Sequence, residues 1–386
     1  MKNKPIPCDV LVAGAGLSGV AAAISASRRQ AKTVLIEKNN FPGGLASDCR
    51  HSYLCGLYPK NTGLAKEVIL QLQKLNPQNK FTRIGKLPAF FFRSENLGSI
   101  LGKLLNKEKN LQVFYNCEVV NVKKEGSSIV CVETNSKPLN LCLNFAPKTV
   151  IDASGEGSII KLSKAKHLLS PLKSRQLAGF TFQVRGLADT AGLLPIKVPY
   201  YLTIAVKQKK LPGYFKFTNF YYGPTKSSGM IKLNLPPKNT HRGPGKTQKY
   251  AALIQAYLRK ILPEFKHSRI QRVASTIHKR EGLRLLGKHI LTEKEILSSR
   301  KFPDAIAKGY WPVEFWDQKQ GQKIKYLKPG KFYEIPLSCL KSSSIDNLFA
   351  TGKCISATSK ALASTRVTGT CIYLGEAAGR QAAQRK

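Results

Sequence analysis

The first forty residues alternate between short apolar runs and a longer stretch of small residues. Apolar runs at residues 9–13 and 33–37 flank a glycine-rich turn at 14–19 and an alanine-rich stretch at 20–29. A short apolar run bounded by turn residues is typical of a buried strand, and the alanine-rich stretch favours a helix. Two such strands joined by one helix pair in parallel through a right-handed crossover. The pattern therefore predicts a βαβ unit at the start of the chain.

A helix and a series of short strands are predicted next. Residues 95–107 have helical periodicity. The strand-like runs that follow lie at 112–115, 118–123, 129–133, 140–145 and 149–151. Their spacing predicts an antiparallel meander that leads back to a buried strand.

The strand–turn–helix order returns in the last fifty residues. A strand is predicted at 347–350, a turn at Gly352 and a small-residue helix at about 370–383. We therefore predict an α/β fold with a Rossmann-like domain, in which a parallel sheet carries an antiparallel meander. This domain is expected to be discontinuous and to consist of residues 1–158 and 340–386.

The middle of the chain has a different pattern. It contains Pro-Gly turns, aromatic clusters at 200–201 and 217–222, and a loop at 236–245 that is rich in Pro, Gly and Lys. A helix is predicted at 251–262. Residues 159–339 are therefore expected to form an inserted α+β domain that shapes the substrate pocket.

Composition excludes several classes of protein. The chain has 386 residues, and its 42% hydrophobic content excludes a disordered chain. The nine cysteines are irregularly spaced and form no C-x-x-C pair. This argues against a zinc ribbon, an iron–sulfur site, a dithiol redox pair and a secreted disulfide framework. We expect no metal site and a reducing cytosol.

Net charge is the most unusual feature of the composition. The formal net charge is +41, and residues 159–280 hold 24 basic and only 2 acidic side chains. Such a field attracts nucleic acid, an anionic membrane surface or an acidic substrate. Lysine outnumbers arginine by 46 to 17. Because arginine is the favoured residue for planar phosphate recognition, this ratio favours a general lysine bias of the proteome.

The most apolar window of the chain, residues 8–26, could be misread as a signal peptide. It contains Asp9 and three glycines in a strand–turn–helix pattern, which a signal peptide does not need. We therefore expect no membrane span and a cytoplasmic protein.

The glycine-rich turn carries a dinucleotide-binding motif. Gly14 permits the tight turn, Gly16 lets a pyrophosphate approach the backbone, and Gly19 lets the helix pack close to the strand. The helix N-terminus offers free N–H groups to the phosphates. Glu37, at the end of the second strand, is placed to accept hydrogen bonds from ribose hydroxyls. Its carboxylate disfavours a 2′-phosphate, so the motif indicates an adenosine dinucleotide without one.

Glycines and a helix start further along the chain suit the rest of such a ligand. Gly43 and Gly44 follow the ribose carboxylate. The buried strand at 149–151 leads to Gly155, where the backbone can pass close to a ligand, and residues 349–352 repeat this arrangement. Residues 364–370 lead into a helix whose N-terminal dipole favours a group that gains negative charge, such as the N1–C2=O region of a flavin on reduction.

Three blocks of the sequence resemble the FAD-dependent oxidoreductase family, a group of two-dinucleotide-binding-domain flavoproteins whose members mostly lack an assigned substrate. The blocks are residues 9–24 with 36–44, residues 280–297 with 300–309, and residues 335–341 with 347–371. The resemblance weakens over residues 159–270. It implies tightly bound FAD and redox chemistry. The residues that it places at FAD are Gly14, Gly16, Gly19, Glu37, Gly43, Gly44, Gly155, Gly352, Val367 and Thr368, with Arg366 beside them.

Three residues are candidates for catalysis. His51 lies on the loop after the Gly-Gly pair and could be a base or a covalent attachment point for flavin, or a loop histidine bonded to backbone. Arg284, which we expect one helical turn from Arg280, could anchor a substrate carboxylate or phosphate, or could bridge two domains. Arg366 could stabilise reduced flavin or hold substrate. Cys55 is expected to be a small buried residue, and Cys354 to pack beside FAD.

The resulting hypothesis is an FAD-dependent oxidoreductase that passes a hydride between a small organic substrate and flavin N5. The basic middle region indicates an anionic substrate or an acceptor at an anionic membrane surface. The electron acceptor and the oligomeric state stay undefined. A flavin-dependent tRNA-modifying enzyme is a first alternative, based on the charge of the middle region. A non-catalytic polyanion-binding protein with the same fold is a second.

Overall fold

The predicted βαβ unit forms in the computed structural model. The structure describes residues 4–48, 52–84, 86–92, 96–136, 141–188, 191–223, 225, 227–240 and 245–384. Strand β1 (Ile6–Ala13) leads into helix α1 (Leu17–Ser27) and strand β2 (Thr33–Ile36). The two strands pair in parallel, with Val10 opposite Thr33.

The other elements follow in chain order. The strands are β3 (Tyr53–Cys55), β4 (Lys80–Ile84), β5 (Leu87–Phe91), β6 (Leu111–Phe114), β7 (Glu118–Glu125), β8 (Ser128–Ser136), β9 (Leu141–Asp152), β10 (His167–Leu168), β11 (Ala178–Arg185), β12 (Thr218–Tyr222), β13 (Ser228–Leu235), β14 (Arg269–Val273), β15 (Arg284–Leu285), β16 (Ala305–Gly309), β17 (Val313–Asp317), β18 (Gly321–Lys325), β19 (Tyr333–Pro336) and β20 (Leu348–Ala350). The helices are α2 (Leu45–Asp48), α3 (Gly63–Leu75), α4 (Leu97–Asn106), α5 (Ser158–Leu162), α6 (Leu194–Lys207), α7 (Lys246–Ile261), α8 (Glu293–Leu297), α9 (Ser359–Thr365) and α10 (Thr368–Ala383).

The largest sheet combines parallel and antiparallel pairing. Its strand order is β6-β2-β1-β9-β8-β7, and β20 also pairs with β9. β6, β2, β1, β9 and β20 are parallel to one another, whereas β8 and β7 extend the sheet as an antiparallel meander. The predicted α/β class, with a parallel sheet and an antiparallel meander, is therefore confirmed.

Strand β9 is longer than the sequence pattern indicates. The separate strands expected at 140–145 and 149–151 are wrong, because β9 is continuous from Leu141 to Asp152. The strand changes partner along its length: residues 141–145 pair with β8, and residues 150–152 pair with β20. Pro147, which has no N–H to donate, lies between these two segments.

Helices α1 and α10 pack closely on one face of this sheet. A side chain at Gly375 would overlap the carbonyl oxygen of Ser18, and one at Gly379 would overlap that of Ala22. Because the glycines are four residues apart, they form one smooth strip of α10. This contact joins the first helix of the chain to the last.

The middle region contains a second sheet with two different faces. Its strand order is β12-β13-β11-β14. One face is apolar and packs on α6 and α7, with Phe180, Phe182, Ile231 and Leu233 in a buried cluster. The other face carries polar side chains at the alternating positions, which are Thr181, Gln183, Asn219, Tyr221, Lys232 and Asn234. On this polar face, Lys232 lies against Trp316, which belongs to the site described below.

Apolar residues sort into separate buried clusters. The cluster under the apolar face of the second sheet spans residues 180–274. Buried residues from 291–340, including Val313 and Tyr333, pack instead in the same cluster as α1 and α10. The domain division into 1–158 with 340–386 and 159–339 stays a prediction. No helix in the described part of the chain is both long and apolar enough to cross a membrane.

Candidate active site

The glycine-rich turn lies between β1 and α1, at the carboxyl edge of the parallel strands. Gly14 has a φ of +102°, and a Cβ there would be 2.7 Å from the carbonyl oxygen of Ala153. A side chain at Gly19 would overlap the carbonyl oxygen of Gly14. Gly16 differs from both, because no atom of the described residues lies within 4 Å of the position that its Cβ would take. The turn therefore leaves space beside Gly16 at the start of an eleven-residue helix.

Glu37 and the Gly-Gly pair stand beside this space. The buried Glu37 carboxylate accepts hydrogen bonds from Ala15 N at 2.7 Å and from Asn39 N at 2.9 Å. Gly43 N donates to Ala15 O at 2.7 Å. A Cβ at Gly44 would lie 3.1 Å from Gly16 Cα. The structure thus brings Gly14, Gly16, Gly19, Glu37, Gly43 and Gly44 together.

Gly155 and Gly352 follow the carboxyl ends of the neighbouring strands β9 and β20. Both have positive φ, of +70° and +61°. A Cβ at Gly155 would lie 2.9 Å from Lys353 Cε, and one at Gly352 would lie 2.5 Å from Ser18 Oγ. The glycine at 352 therefore packs on the first turn of α1, next to the space beside the turn.

The start of α10 packs against strand β3. Val367 is the N-cap residue of this sixteen-residue helix, and no side chain of the described residues caps its N–H groups. Thr368 Oγ1 accepts a hydrogen bond from Cys55 N at 2.8 Å. A side chain at Gly56 would stand 2.6 Å from Val367. Among the described residues, the N-termini of α1 and α10 are thus both free of side-chain caps. Two such helix ends suit a ligand with phosphates at one end and a polarisable ring at the other.

Arg366 precedes α10 and belongs to a cluster of cations. Its Nη2 donates to Gln176 Oε1 at 3.2 Å, whereas its buried Nε has no hydrogen-bond partner among the described residues. Lys232 Nζ and Arg280 Cζ lie 4.5 Å and 4.4 Å from the ring centroid of the buried Trp316. Lys232, Arg280, Arg366 and Trp316 are called the cationic cluster below.

The Glu314 carboxylate partly compensates this cluster. Glu314 accepts hydrogen bonds from the indole N–H groups of Trp311 and Trp316, each at 3.0 Å, and from Gln322 Nε2 at 2.9 Å. These donors occupy both carboxylate oxygens and fix the side chain. Glu281, which accepts a hydrogen bond from Gln176 N, adds a second negative charge near Arg366.

The pKa values reflect this crowding. Burial, and then the neighbouring Arg280, lowers the pKa of Lys232 to about 8. Burial and the nearby Arg366 likewise lower the pKa of Arg280 to about 9. Burial acts to raise the pKa of Glu314, but Lys232, Arg366 and the bond from Trp311 outweigh it and hold that pKa below its usual range.

The predicted helical pairing of Arg280 and Arg284 is wrong. Residues 280–283 form no helix, and Arg284 lies in strand β15. Arg280 donates to Leu177 O and to Asn234 Oδ1, whereas Arg284 donates to Ser170 Oγ at 2.8 Å and faces Glu281 at 3.5 Å. The two guanidinium groups therefore bind different partners.

The remaining sequence candidates fall in different places. His51 lies outside the described residues. Cys55 and Cys354 are buried, and desolvation raises the pKa of each thiol, so neither carries a thiolate at neutral pH. Within the described residues, no group of three or more His, Cys, Asp or Glu side chains could hold a metal ion.

Four residues of this region were not identified from the sequence. Lys232, Glu314 and Trp316 come from strands of two different sheets, so no local motif joins them. His278 is half-buried here, and desolvation, with the charge of Lys353, lowers its pKa to about 3. It is therefore a neutral imidazole at neutral pH. The signal that could have found the cluster is tryptophan, since both tryptophans of the chain bond to Glu314.

The fold and the glycine turn define a dinucleotide-binding α/β protein, and sequence comparison defines its family. The family model described as FAD dependent oxidoreductase matches residues 9–385. The chain therefore belongs to the FAD-dependent oxidoreductase family, and the protein is an enzyme whose cofactor is FAD. The open space beside Gly16 and the carboxylate of Glu37 fit this cofactor. No curated protein matches the sequence.

Solved structures show a similar fold at low sequence identity. A geranylgeranyl bacteriochlorophyll reductase-like protein from Thermoplasma acidophilum aligns with 99% of this chain and 78% of its own, at 14% identity and a TM-score of 0.52. The flavin-dependent brominase Bmp2 aligns with 98% of this chain and 78% of its own, at 12% identity and a TM-score of 0.49. At 14% identity, the first likeness shows the fold alone.

Proposed function

We propose that this enzyme passes a hydride between a small organic substrate and N5 of FAD. The proposal rests on the contact between the second sheet, which carries Lys232, and the β17–β18 hairpin, which carries Trp316. Lys232 on the polar face of the second sheet and Arg366 before α10 converge on the cationic cluster. A concave site with a few convergent polar groups is the expected position of a substrate pocket.

The residues that would hold FAD follow the edge of the largest sheet. Glu37 would accept the ribose hydroxyls, and the backbone of Gly14, Gly16 and Gly19 would admit the pyrophosphate to the N-terminus of α1. Gly43, Gly44, Gly155 and Gly352 would let the backbone approach the cofactor. Val367 and Thr368 would present the positive end of the α10 dipole. When bound, FAD supplies a two-electron acceptor that takes a hydride at N5.

The chain itself would orient the substrate and keep water out. Trp311 and Trp316 are almost fully buried and are held by Glu314, so they form a rigid apolar wall. Arg366 lies between Glu314 and the start of α10, where its guanidinium would contact both cofactor and substrate. Such a pocket would accelerate hydride transfer mainly by holding the substrate in one orientation.

An absorption spectrum before and after acid precipitation tests the cofactor part of this proposal. We expect a yellow protein that releases FAD into the supernatant, because the described residues offer a cradle for non-covalent binding. Anaerobic addition of reduced candidate substrates should then bleach the flavin band. Flavin that stays in the pellet would indicate covalent attachment, for which His51 is the candidate. A colourless protein that takes up no added FAD would contradict the proposal.

The charge of residues 159–280 keeps a flavin-dependent tRNA-modifying enzyme as a second candidate. If the enzyme modifies RNA, it should bind RNA more tightly than duplex DNA of equal length. Its affinity for RNA should fall steeply with salt as phosphate contacts are lost. Equal affinity for both polymers with equal salt slopes would show a non-specific effect of the +41 charge. The measurement is a fluorescence anisotropy titration with labelled RNA and DNA at several salt concentrations.

A further inference from the structure

We propose that the cationic cluster of Lys232, Arg280 and Arg366 binds a carboxylate group of the enzyme's substrate. The inference rests on the proposed hydride transfer, because it assigns the substrate of that reaction to a chemical class. It adds the residues that recognise this substrate and the group that they recognise.

The first argument is unbalanced charge in a buried place. Arg280 is 8% exposed, and Lys232 lies against the 2% exposed Trp316. Glu314 lies among these cations, and its oxygens already accept three hydrogen bonds. Glu281 also acts on Arg366, but it accepts from Gln176 N and faces a fourth cation, Arg284, at 3.5 Å. A buried excess of positive charge is costly unless a further anion joins it. A carboxylate in the pocket would supply that anion.

The second argument is unused hydrogen-bonding capacity. Within the described part of the chain, the buried Arg366 Nε has no hydrogen-bond partner, and the two bonds of Nη2 are long, at 3.2 Å and 3.4 Å. Lys232 Nζ makes no hydrogen bond with the part of the chain that the structure describes; its contact there is the face of Trp316. Buried donors are nearly always satisfied, so these atoms point to a missing acceptor. A planar carboxylate matches the edge of a guanidinium through two parallel bonds.

The third argument is room for the rest of the molecule. A cavity of about 400 Å³ is lined by Arg280 and by Gln176, the residue that bonds to Arg366. A second cavity of about 330 Å³ lies along the polar face of the second sheet and is lined by Tyr221 and Gln183. Both volumes are in the range of small-molecule sites. A small organic acid therefore fits beside the cluster.

The test compares carboxylates with their uncharged amides on the FAD-loaded enzyme. Acetate, succinate and benzoate are titrated against acetamide, succinamide and benzamide, and binding is followed by the flavin difference spectrum. We expect at least one carboxylate to shift the spectrum saturably, and its amide to bind more than about tenfold more weakly, because the amide loses the charge-assisted bonds. Equal binding of acid and amide would overturn the proposal.

Variants locate the effect. Lys232→Met and Arg366→Gln should each weaken carboxylate binding about tenfold to a hundredfold, and Arg366→Lys should be intermediate because it keeps the charge but loses the planar fork. The matched control is Lys216→Met, which removes an exposed lysine lying 4.7 Å over Phe217, outside the cluster. An equal loss in the control would show a general charge effect. Melting curves of each variant establish that it folds.

Two further outcomes separate this inference from the proposed function. If the protein holds no FAD, hydride transfer fails, while carboxylate-dependent thermal stabilisation and its loss in the Lys232→Met variant still test the cluster. If carboxylates stabilise the FAD-loaded enzyme but leave the flavin spectrum unchanged, the site is remote from flavin and the substrate role is overturned. Tighter binding of inorganic phosphate than of any carboxylate would overturn the assignment of a carboxylate.

Discussion

Gly16→Ala is expected to abolish tight FAD binding while the FAD-free protein keeps its fold. Gly16 has a φ of −63°, which any residue adopts, and nothing in the described structure would contact its Cβ. The methyl group would occupy the space through which a pyrophosphate approaches the backbone. Loss of two charge-assisted hydrogen bonds to phosphate weakens binding by roughly a hundredfold or more.

Comparison with Gly19→Ala makes this expectation specific. A side chain at Gly19 would overlap the carbonyl oxygen of Gly14, so this variant should lose stability even without FAD. Gly102→Ala, inside helix α4, where a Cβ also meets nothing within 4 Å, should leave FAD affinity unchanged and raise stability by about 0.5 to 1 kcal/mol. The measurements are FAD affinity by fluorescence quenching and urea denaturation of the FAD-free proteins. Normal FAD affinity in Gly16→Ala would place the pyrophosphate elsewhere.

Glu314→Gln is expected to cause the largest loss of stability of any single charge change in the pocket. The amide has one acceptor oxygen, so one of the two indole N–H groups, which donate to different oxygens of Glu314, would face an NH2 group. The neighbouring cations would also lose this carboxylate. Removal of one partner from a buried ionic group costs about 3 to 5 kcal/mol. Urea denaturation of the FAD-free variant measures this, with Glu118→Gln, an exposed carboxylate on β7, as the control.

The pH dependence of this difference has a definite sign. Because the pKa of Glu314 in the folded state lies below its usual value of 4.5, the carboxylate stabilises the fold above that value. The contribution is lost as the pH falls through the lowered pKa. The variant should therefore approach the parent in acid, and Lys232→Met should restore part of its stability at neutral pH. A constant difference down to low pH would contradict the role assigned to Glu314.

The strand–turn–helix elements were predictable because their signals are local. The turn from Gly14 to Gly19 and the helix predicted at 370–383 each occupy a continuous stretch, and periodicity defines them. Helix α10 in fact begins at Thr368. Helix α3 and the β3-β5-β4 sheet were not predicted, although α3 has an amphipathic pattern with Leu64, Val68 and Leu72 buried.

The cationic cluster could not be predicted, because its residues meet only through tertiary structure. Lys232 comes from β13, Trp316 from β17, and Arg366 from the segment before α10. In the sequence each is one basic or aromatic residue among many. Because lysines are numerous, composition does not indicate which lysine belongs to the cluster. The family-like position of Arg366 and the presence of only two tryptophans were the local signals, and neither shows which residues meet in the fold.

The contact between α1 and α10 has a consequence for the order of folding. The residues that meet there, such as Ser18 and Gly375, are separated by more than three hundred positions, and β20 adds to β9 only from the same late segment. Loop closure on this scale slows folding and favours partly structured intermediates. During synthesis the nascent chain would emerge with α1 and the glycine turn uncovered until α10 had left the ribosome. The cofactor site would therefore be among the last parts of the protein to be completed.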